Sequence, residues 1–309
     1  MAKARSRTRD LLAYAAARVL SCAFLMLPLE WAAGLARWLA YIAYLVDRRH
    51  RTIALDNLRH ALPEITGEPQ RHKLLQATYE HFGLMLLEML LLVRKVRRSN
   101  QARRVTPGDP GLWRQLQRGD RPFLLVTGHF GNWELAAYWP GLIGIHGHMV
   151  MRPLDNPYAD RLMTRMREAS GGHVLAKNGE AAQIREVLAN GGAVFTAGDQ
   201  DAGANGLFVD FFGRPASTHK AIAVLALRQK AIIVVGGMQR TGGLLNYTVQ
   251  TTDVIDPSDY AGQPDAVRAV TQRMTASLER MIRRDPAQYL WLHRRWKHRP
   301  AASPVARAA

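Results

Sequence analysis

A histidine and a glutamate flank the point where a buried strand gives way to a helix. The apolar run 123–126 is typical of a buried strand, and His129 follows it closely. Glu134 comes five positions later, in the first turn of a helix expected at 133–139. Ligands of open α/β sheets bind at the carboxyl ends of the strands. The segment therefore predicts a general base, His129, and an orienting carboxylate, Glu134.

Other catalytic arrangements are disfavoured. A zinc-protease helix carries two histidines four residues apart, whereas no second histidine stands beside His129. His146 and His148 lie at the next strand and leave a metal site as an alternative. The Gly-x-Ser-x-Gly turn of serine hydrolases is missing, and no glycine-rich nucleotide fingerprint follows a strand. We therefore predict neither a metal site nor a dinucleotide site.

The charge of the chain points to polyanionic partners. Its 309 residues carry 42 Lys+Arg against 25 Asp+Glu, a formal net charge of +17. Such an excess favours nucleic acid, an anionic membrane, or phosphorylated and acidic substrates. Cys22 is the single cysteine, which excludes a disulfide within the chain and fits a reducing compartment.

The first 50 residues are apolar between basic flanks. Apolar runs at 11–29 and 31–46 lie between basic residues within 1–10 and 48–51. A single spanning helix needs about 20 apolar residues and has its basic residues on one side, whereas here basic residues flank both ends. A cleaved signal sequence would end at a site of small residues, and no such site follows the first apolar run. We therefore predict that 1–50 is a membrane-associated helical segment that enters and returns on the cytoplasmic face. A buried helical hairpin is the alternative.

Strands and helices alternate along the rest of the chain. Besides 123–126, strands are expected at 148–151, 193–197, 232–237 and 247–251, and helices at 51–62, 69–96, 156–170, 179–190, 217–230 and 265–284. This alternation predicts an α/β fold with a mostly parallel central sheet flanked by helices. We assign residues 51–300 to that domain and 301–309 to a disordered tail.

The segment 283–299 combines cations with aromatic rings. It holds six Lys/Arg and one acidic residue, interleaved with Tyr289, Trp291 and Trp296. Such amphipathic rings among cations suit a membrane interface. A structural clasp with buried rings is an equal alternative.

Five motifs together resemble a known family. They are GHFGNWE at 128–134, RPLDNP at 152–157, GDQDAG at 198–203, FFGRPAST at 211–218 and QYLWLHRRWKHRP at 288–300. In this order they resemble the lysophospholipid acyltransferase superfamily, and more closely the bacterial late acyltransferases of lipid A biosynthesis. The resemblance covers about 51–300.

That resemblance implies an O-acyltransferase with a glycerolipid acyltransferase-like fold. It would move a fatty acyl chain from a thioester, on acyl-carrier protein or coenzyme A, to a hydroxyl of a lipid A precursor. Its partners would be the acyl donor, a phosphorylated glycolipid acceptor and the cytoplasmic face of the cell inner membrane. No cofactor is implied, because the thioester itself drives the reaction.

The same chemistry assigns roles to the motif residues. Neutral imidazole has a pKa suited to a general base near pH 7, so His129 would deprotonate the acceptor hydroxyl and Glu134 would hold its tautomer. We expect Arg152 and the backbone amides near Gly131 and Asn132 to bind the oxyanion. Two further motif residues, Asn156 and Asp199, are expected to bind the acceptor or to support the catalytic groups.

Other functions remain as alternatives. An acyltransferase for a lysophospholipid or a phosphoinositide glycolipid would share the same base. A thioester hydrolase would use the same histidine with water as nucleophile. Binding of nucleic acid rests on charge alone, because the expected strands lack the stacking aromatics of such modules, and we expect no nucleic-acid partner.

Overall fold

The structure is a computed structural model that describes residues 6–175 and 180–300. The strands are β1 Val105–Pro107, β2 Phe123–Thr127, β3 Gly147–Met149, β4 His173–Val174, β5 Ala193–Ala197, β6 Leu207–Phe211, β7 Arg214–Thr218, β8 Ile232–Arg240 and β9 Tyr247–Ile255. The helices are α1 Arg7–Met26, α2 Leu29–Val46, α3 Arg48–Ala61, α4 Glu68–Lys95, α5 Pro110–Arg118, α6 Trp133–Leu142, α7 Pro157–Glu168, α8 Glu180–Ala189, α9 Ala221–Gln229 and α10 Ala266–Arg284. The tail expected at 301–309 and the helix start expected at 179 lie outside the described residues.

Seven strands form the central sheet in the order β1-β9-β8-β2-β5-β3-β4. Strand β2 lies between β8 and β5 and pairs with both in parallel. The pairing of β8 with β9 is antiparallel. The prediction of a mostly parallel sheet is therefore confirmed.

Helices cover both faces of this sheet. Side chains alternate across a strand, and β2 divides accordingly: Leu124 and Val126 join one buried cluster, Phe123 and Leu125 the other. The first cluster includes residues of α3, α8, α9 and α10, and the second includes residues of α2, α4, α5 and α6. A strand buried on both faces reads as a continuous apolar run, which explains the pattern at 123–126.

The amino-terminal helices pack onto the α/β core. Ala36 and Ala40 of α2 are buried against α4, where a Cβ added at Gly83 would lie 2.8 Å from the Ala40 Cβ. Small residues therefore allow a close approach of these two helices. Within the described residues, we find no helix long and apolar enough to cross a bilayer. The membrane association of residues 1–50 stays a prediction.

A β-hairpin occupies 207–218, where the sequence analysis predicts no strand and places the start of a helix at 217. Phe212 and Gly213 both have positive φ, at 56° and 71°, between the paired strands β6 and β7. Two such residues form a tight hairpin turn. Because β7 extends to Thr218, α9 begins only at Ala221.

Candidate active site

His129 and Asp199 meet at the carboxyl edge of the sheet. Strands β2 and β5 are parallel, with Thr127 opposite Ala197. His129 and Asp199 each lie two residues beyond this pair, so the register brings them side by side. Both belong to motifs expected at strand ends, and the edge is where α/β sheets bind ligands.

The Asp199 carboxylate holds His129 through both of its oxygens. Nδ1 of His129 lies 2.8 Å from Oδ1 of Asp199, and the His129 backbone N–H donates to Oδ2 at 2.7 Å. With Nδ1–H directed at the carboxylate, Nε2 carries the lone pair. The Gln200 side-chain nitrogen lies 3.4 Å from this Nε2. The imidazole thus has the tautomer of a general base whose reactive nitrogen faces the open edge.

Burial and charge act in opposite directions on this pair. Burial by itself lowers the pKa of His129, but the charge of Asp199 and its hydrogen bond leave that pKa above its ordinary value. Burial also opposes ionisation of Asp199, yet contacts with His129 keep the pKa of that carboxyl below its ordinary value. The Asp199 side chain has no exposed surface, whereas the His129 side chain is 19% exposed. Asp199 is therefore a fixed anion beneath a partly open imidazole.

Glu134 does not orient His129, contrary to the prediction. Its carboxylate accepts two hydrogen bonds from the buried Arg167 of α7, at 2.8 and 2.7 Å. Glu134 lies in the first turn of α6, where the helix directs its side chain toward α7. Its charge adds to the rise in the His129 pKa without contact. Glu134 therefore ties α6 to α7, and Asp199 is the orienting carboxylate.

The backbone amides predicted to bind an oxyanion already have partners. The Gly131 N–H donates to the Gln288 carbonyl at 2.9 Å, and the Asn132 N–H to the Met238 carbonyl at 2.9 Å. Gly131 has φ +58°, and a Cβ there would come within 1.8 Å of the Met238 oxygen. Glycine is thus required for the close approach of this loop to β8. Both residues build the site and leave no amide directed at substrate.

A buried polar network holds this loop from below. The Asn132 side chain caps α6 by accepting from the Leu135 N–H, and it donates to Glu88 of α4. Glu88 is fully buried and paired with Arg240 at 2.7 Å. Arg240 donates to Nδ1 of His81, so Nε2–H of His81 donates to the Gly131 carbonyl.

His81 stays neutral in this network. Burial lowers its pKa to about 3, and the charge of Arg240 acts in the same direction. Neutral His81 keeps the tautomer that the Gly131 contact requires. Glu88 stands alone in the apolar run 84–93, and such a lone acid on a buried helix face is a sequence signal for a paired internal charge.

Arg152 and Asn156 of the motif at 152–157 have partners other than the catalytic pair. The Arg152 side chain is 86% exposed, and its ion-pair partner is Asp155 at 3.9 Å. Asn156 caps α7 by accepting from the Tyr158 and Ala159 amides, and it donates to the Asp10 carbonyl. Asn156 therefore joins α7 to α1. Neither residue contacts His129 among the described interactions, so the oxyanion role of Arg152 stays a prediction without support from contacts.

Aromatic side chains border the reactive nitrogen on one side. The Trp133 ring lies 5.1 Å from the His129 ring, and Phe82 of α4 lies 5.5 Å from Trp133. These rings connect the catalytic edge to α4. The described residues contain no group of three or more His, Cys, Asp or Glu side chains suited to a metal ion.

The arrangement can take a proton from a hydroxyl and return it to a leaving group. Sequence reasoning found His129 and noted Asp199 only as a supporting group, and it missed Gln200, Glu88 and Arg167. The two acids Asp199 and Glu134 are both motif residues, and only the register of β2 and β5 distinguishes the one that meets the imidazole.

A family model and two proteins of known family match most of this chain. The family model for the bacterial lipid A biosynthesis acyltransferase matches residues 2–298. A lipid A biosynthesis lauroyltransferase of Escherichia coli (strain K12) is 29% identical over 267 residues, 83% of this chain and 82% of that protein. A lipid A biosynthesis acyltransferase of Haemophilus influenzae is 29% identical over 82% of this chain and 80% of that protein.

A solved structure of much lower sequence identity also aligns with this chain. The 1-acyl-sn-glycerophosphate acyltransferase PlsC of Thermotoga maritima aligns with 80% of this chain and 94% of its own, at 11% identity and a TM-score of 0.37.

Proposed function

The chain belongs to the bacterial lipid A biosynthesis acyltransferase family, and from that premise we propose that it moves an acyl chain from an acyl-carrier-protein thioester to a hydroxyl of a lipid A precursor. The observation that carries the proposal is the contact between Nδ1 of His129 and Asp199, which leaves Nε2 facing the exposed Gln200 side chain at the carboxyl edge of the sheet. This is the geometry of a general base. The strongly basic chain also suits an acidic donor protein and a phosphorylated acceptor.

In this reaction His129 takes a proton from the acceptor hydroxyl and gives it to the leaving thiolate. The acceptor hydroxyl gives its proton to Nε2 of His129 while its oxygen attacks the thioester carbonyl. A carbon–oxygen bond forms, and the tetrahedral intermediate then expels the thiolate. The imidazolium returns the proton to that sulfur, so the products are an ester and a free thiol. The Asp199 charge stabilises the imidazolium between the two steps, as a carboxylate does in a hydrolase triad.

Gln200 is the candidate donor to the oxyanion. Its amide nitrogen already lies 3.4 Å from Nε2 of His129, at the position the acceptor hydroxyl must approach. The Gln200 residue is exposed, so its side chain can swing aside for the hydroxyl and then donate to the carbonyl oxygen. A donor placed at the carbonyl oxygen stabilises the negative charge that develops there.

An exposed apolar surface supports a position on the cytoplasmic face of the inner membrane. Trp31 and Trp38 of α2 are 72% and 58% exposed, and Leu86 of α4 is 64% exposed. Large exposed apolar patches mark membrane or protein contacts. The end of α4 continues this surface with Arg94 and Lys95, which suit lipid phosphates.

To test the proposal, the protein is incubated with a labelled acyl-carrier-protein thioester, with and without a tetra-acylated lipid A precursor. The lipids are then analysed by mass spectrometry. We expect a mass gain of one acyl chain that His129→Ala abolishes, with a circular-dichroism spectrum unchanged from the parent. Acylation of a lysophospholipid or phosphoinositide glycolipid instead would keep the chemistry and replace the acceptor. Release of free fatty acid at the same rate with and without acceptor would make the protein a thioester hydrolase and reject the proposal.

A further inference from the structure

Residues 288–299, the carboxy-terminal strap, cross the open end of the sheet beside His129. The Leu290 N–H donates to the His129 carbonyl at 3.0 Å. Further along, Arg295 donates to the Ser217 carbonyl, and Nδ1 of His298 lies 2.7 Å from Asp201. The strap therefore borders the catalytic pair from β2 to the loop that carries Gln200.

The strap is anchored by its large rings. Tyr289 and Trp291 are 1% exposed and Trp296 is 7% exposed. Asn57 of α3 donates to the carbonyls of Trp291 and His293. The rings are therefore internal, as in the clasp alternative, and they cannot insert into a bilayer.

Burial of the rings leaves the other strap side chains outside. Arg294, Lys297 and Arg299 are exposed. Lys220 is also exposed, two residues after Thr218, whose hydroxyl accepts from the buried Arg295. We call these four residues the cationic rim: Lys220, Arg294, Lys297 and Arg299.

The rim has no counter-ion of its own. No ion pair involves any of its four members among the described residues, whereas Arg273 and Arg280 of α10 share Asp253. The acids nearest the strap are already engaged, since Asp199 holds His129 and Asp201 holds His298. An uncompensated group of cations beside a catalytic base is a ready site for an anion.

Apolar rings and the strap both lie against the catalytic histidine. The Trp133 ring is 5.1 Å from the His129 ring, with Phe82 of α4 against Trp133, and the Leu290 N–H of the strap donates to the His129 carbonyl. An amphipathic substrate would place its hydrocarbon against the rings and its charged head against the exposed cations of the strap.

We propose that the cationic rim binds a phosphate monoester of the acceptor glycolipid and so sets the acceptor hydroxyl against Nε2 of His129. This inference rests on the proposed function and adds the site that reads the acceptor's head. Arg and Lys side chains on phosphate form charge-assisted hydrogen bonds, which are roughly twice as strong as neutral ones. Recognition of a head group is expected to act on the KM for the acceptor.

The test compares two acceptors and two double variants. Arg294→Gln with Lys297→Gln removes two rim charges. The matched control is Arg114→Gln with Arg228→Gln, which removes two exposed charges from α5 and α9 at the opposite edge of the sheet. Acyl transfer is measured in detergent micelles with the phosphorylated precursor and with the same glycolipid after enzymatic removal of its phosphates.

We expect the rim variant to raise the KM for the phosphorylated acceptor by about tenfold or more, which corresponds to at least 1.4 kcal/mol of lost binding. Its kcat and its KM for the thioester should stay within about twofold of the parent, and the dephosphorylated acceptor should give the same KM with parent and variant. The control should match the parent throughout.

Three results would overturn the inference. The first is an unchanged KM of the rim variant for the phosphorylated acceptor. The second is an equal rise in the KM values for the phosphorylated and the dephosphorylated acceptor. The third is a rim variant that loses only its binding to anionic phospholipid vesicles, which would make the rim a bilayer contact. An unfolded rim variant is recognised by its melting curve and replaced by the single variants Arg294→Gln and Lys297→Gln. A parent enzyme that transfers nothing to either glycolipid rejects the proposed function itself.

Discussion

The Asp199 carboxylate lies under His129 with one oxygen on Nδ1, at 2.8 Å, and the other on the backbone N–H, at 2.7 Å. A single side chain thereby fixes both the ring and the loop that carries it. Each carboxylate oxygen accepts a hydrogen bond from its own donor, the Nδ1–H or the backbone N–H of His129. An asparagine at position 199 has an oxygen in only one of these two places and a donating NH₂ group in the other, so it cannot accept both bonds in this arrangement. The pair is therefore more sensitive to charge than to size.

Asp199→Asn should lower the rate of transfer by about 10² to 10⁴, the range that a general base supplies. The pKa of His129 is raised in the folded protein, so the parent rate should rise with pH and level off above the ordinary histidine value of about 6.5. Loss of the Asp199 charge lets burial dominate, and the inflection should move to lower pH. Rates from pH 5 to 9 measure this, and an unchanged inflection would contradict the pairing.

The Glu134–Arg167 pair should matter first for stability. Both side chains are at least nine-tenths buried, and removal of one member leaves the other charge unpaired, at a cost of about 3–5 kcal/mol. Glu134→Gln should thus lower the free energy of unfolding, and Glu134→Gln with Arg167→Met should recover part of it. Arg37→Gln, which breaks the exposed pair with Glu80, is the control and should cost about 0–1 kcal/mol.

Urea denaturation followed by circular dichroism gives these free energies. If Glu134→Gln unfolds like the parent while its pH profile shifts as much as that of Asp199→Asn, Glu134 orients the histidine in solution. The sequence-based assignment would then replace the one drawn from the hydrogen bonds.

The amino-acid sequence predicts the strands of the site better than it predicts which side chains contact one another there. The bounds 193–197 coincide with those of β5, and β2 starts at Phe123 as predicted, because strands buried on both faces read as uninterrupted apolar runs. Local pattern does not contain the register of β2 against β5, and that register decides which carboxylate meets His129.

Contacts between residues that are distant in the chain cannot be predicted from local sequence pattern either. Glu88 and Arg240 are 152 residues apart, and Asn57 reaches the strap across 234 residues. The hairpin at 207–218 escaped because a phenylalanine occupies one of its two positive-φ turn positions. Asparagine or aspartate before the glycine would have marked that turn.

Gln200→Ala should lower kcat by about 10²–10³, the usual cost of one oxyanion donor, with little change in the KM for either substrate. Gln200→Glu should be worse than Gln200→Ala, because a carboxylate repels the oxyanion and also raises the pKa of His129. Steady-state rates at saturating donor and acceptor test both variants. Equal rates for parent and Gln200→Ala would remove Gln200 from the mechanism.

Membrane contact is best tested on the exposed face of α2. Deletion of residues 1–46 would also remove Ala36, Ala40 and Tyr44 from the buried core, so loss of membrane binding would not be separable from unfolding. Trp31→Ser with Trp38→Ser leaves that core intact and removes two rings that are 72% and 58% exposed. Burial of a large apolar side chain stabilises by about 1.5–3 kcal/mol, so the double variant should bind vesicles at least tenfold more weakly.

Flotation with vesicles of anionic phospholipid measures this binding. Val254→Ser on β9, which changes a side chain that is 39% exposed and remote from α2, is the control. Unchanged flotation of the double variant would exclude this face of α2 as the main contact. The cations after α4 would then be the next group to neutralise, since Arg94 and Lys95 end the helix that carries the exposed Leu86.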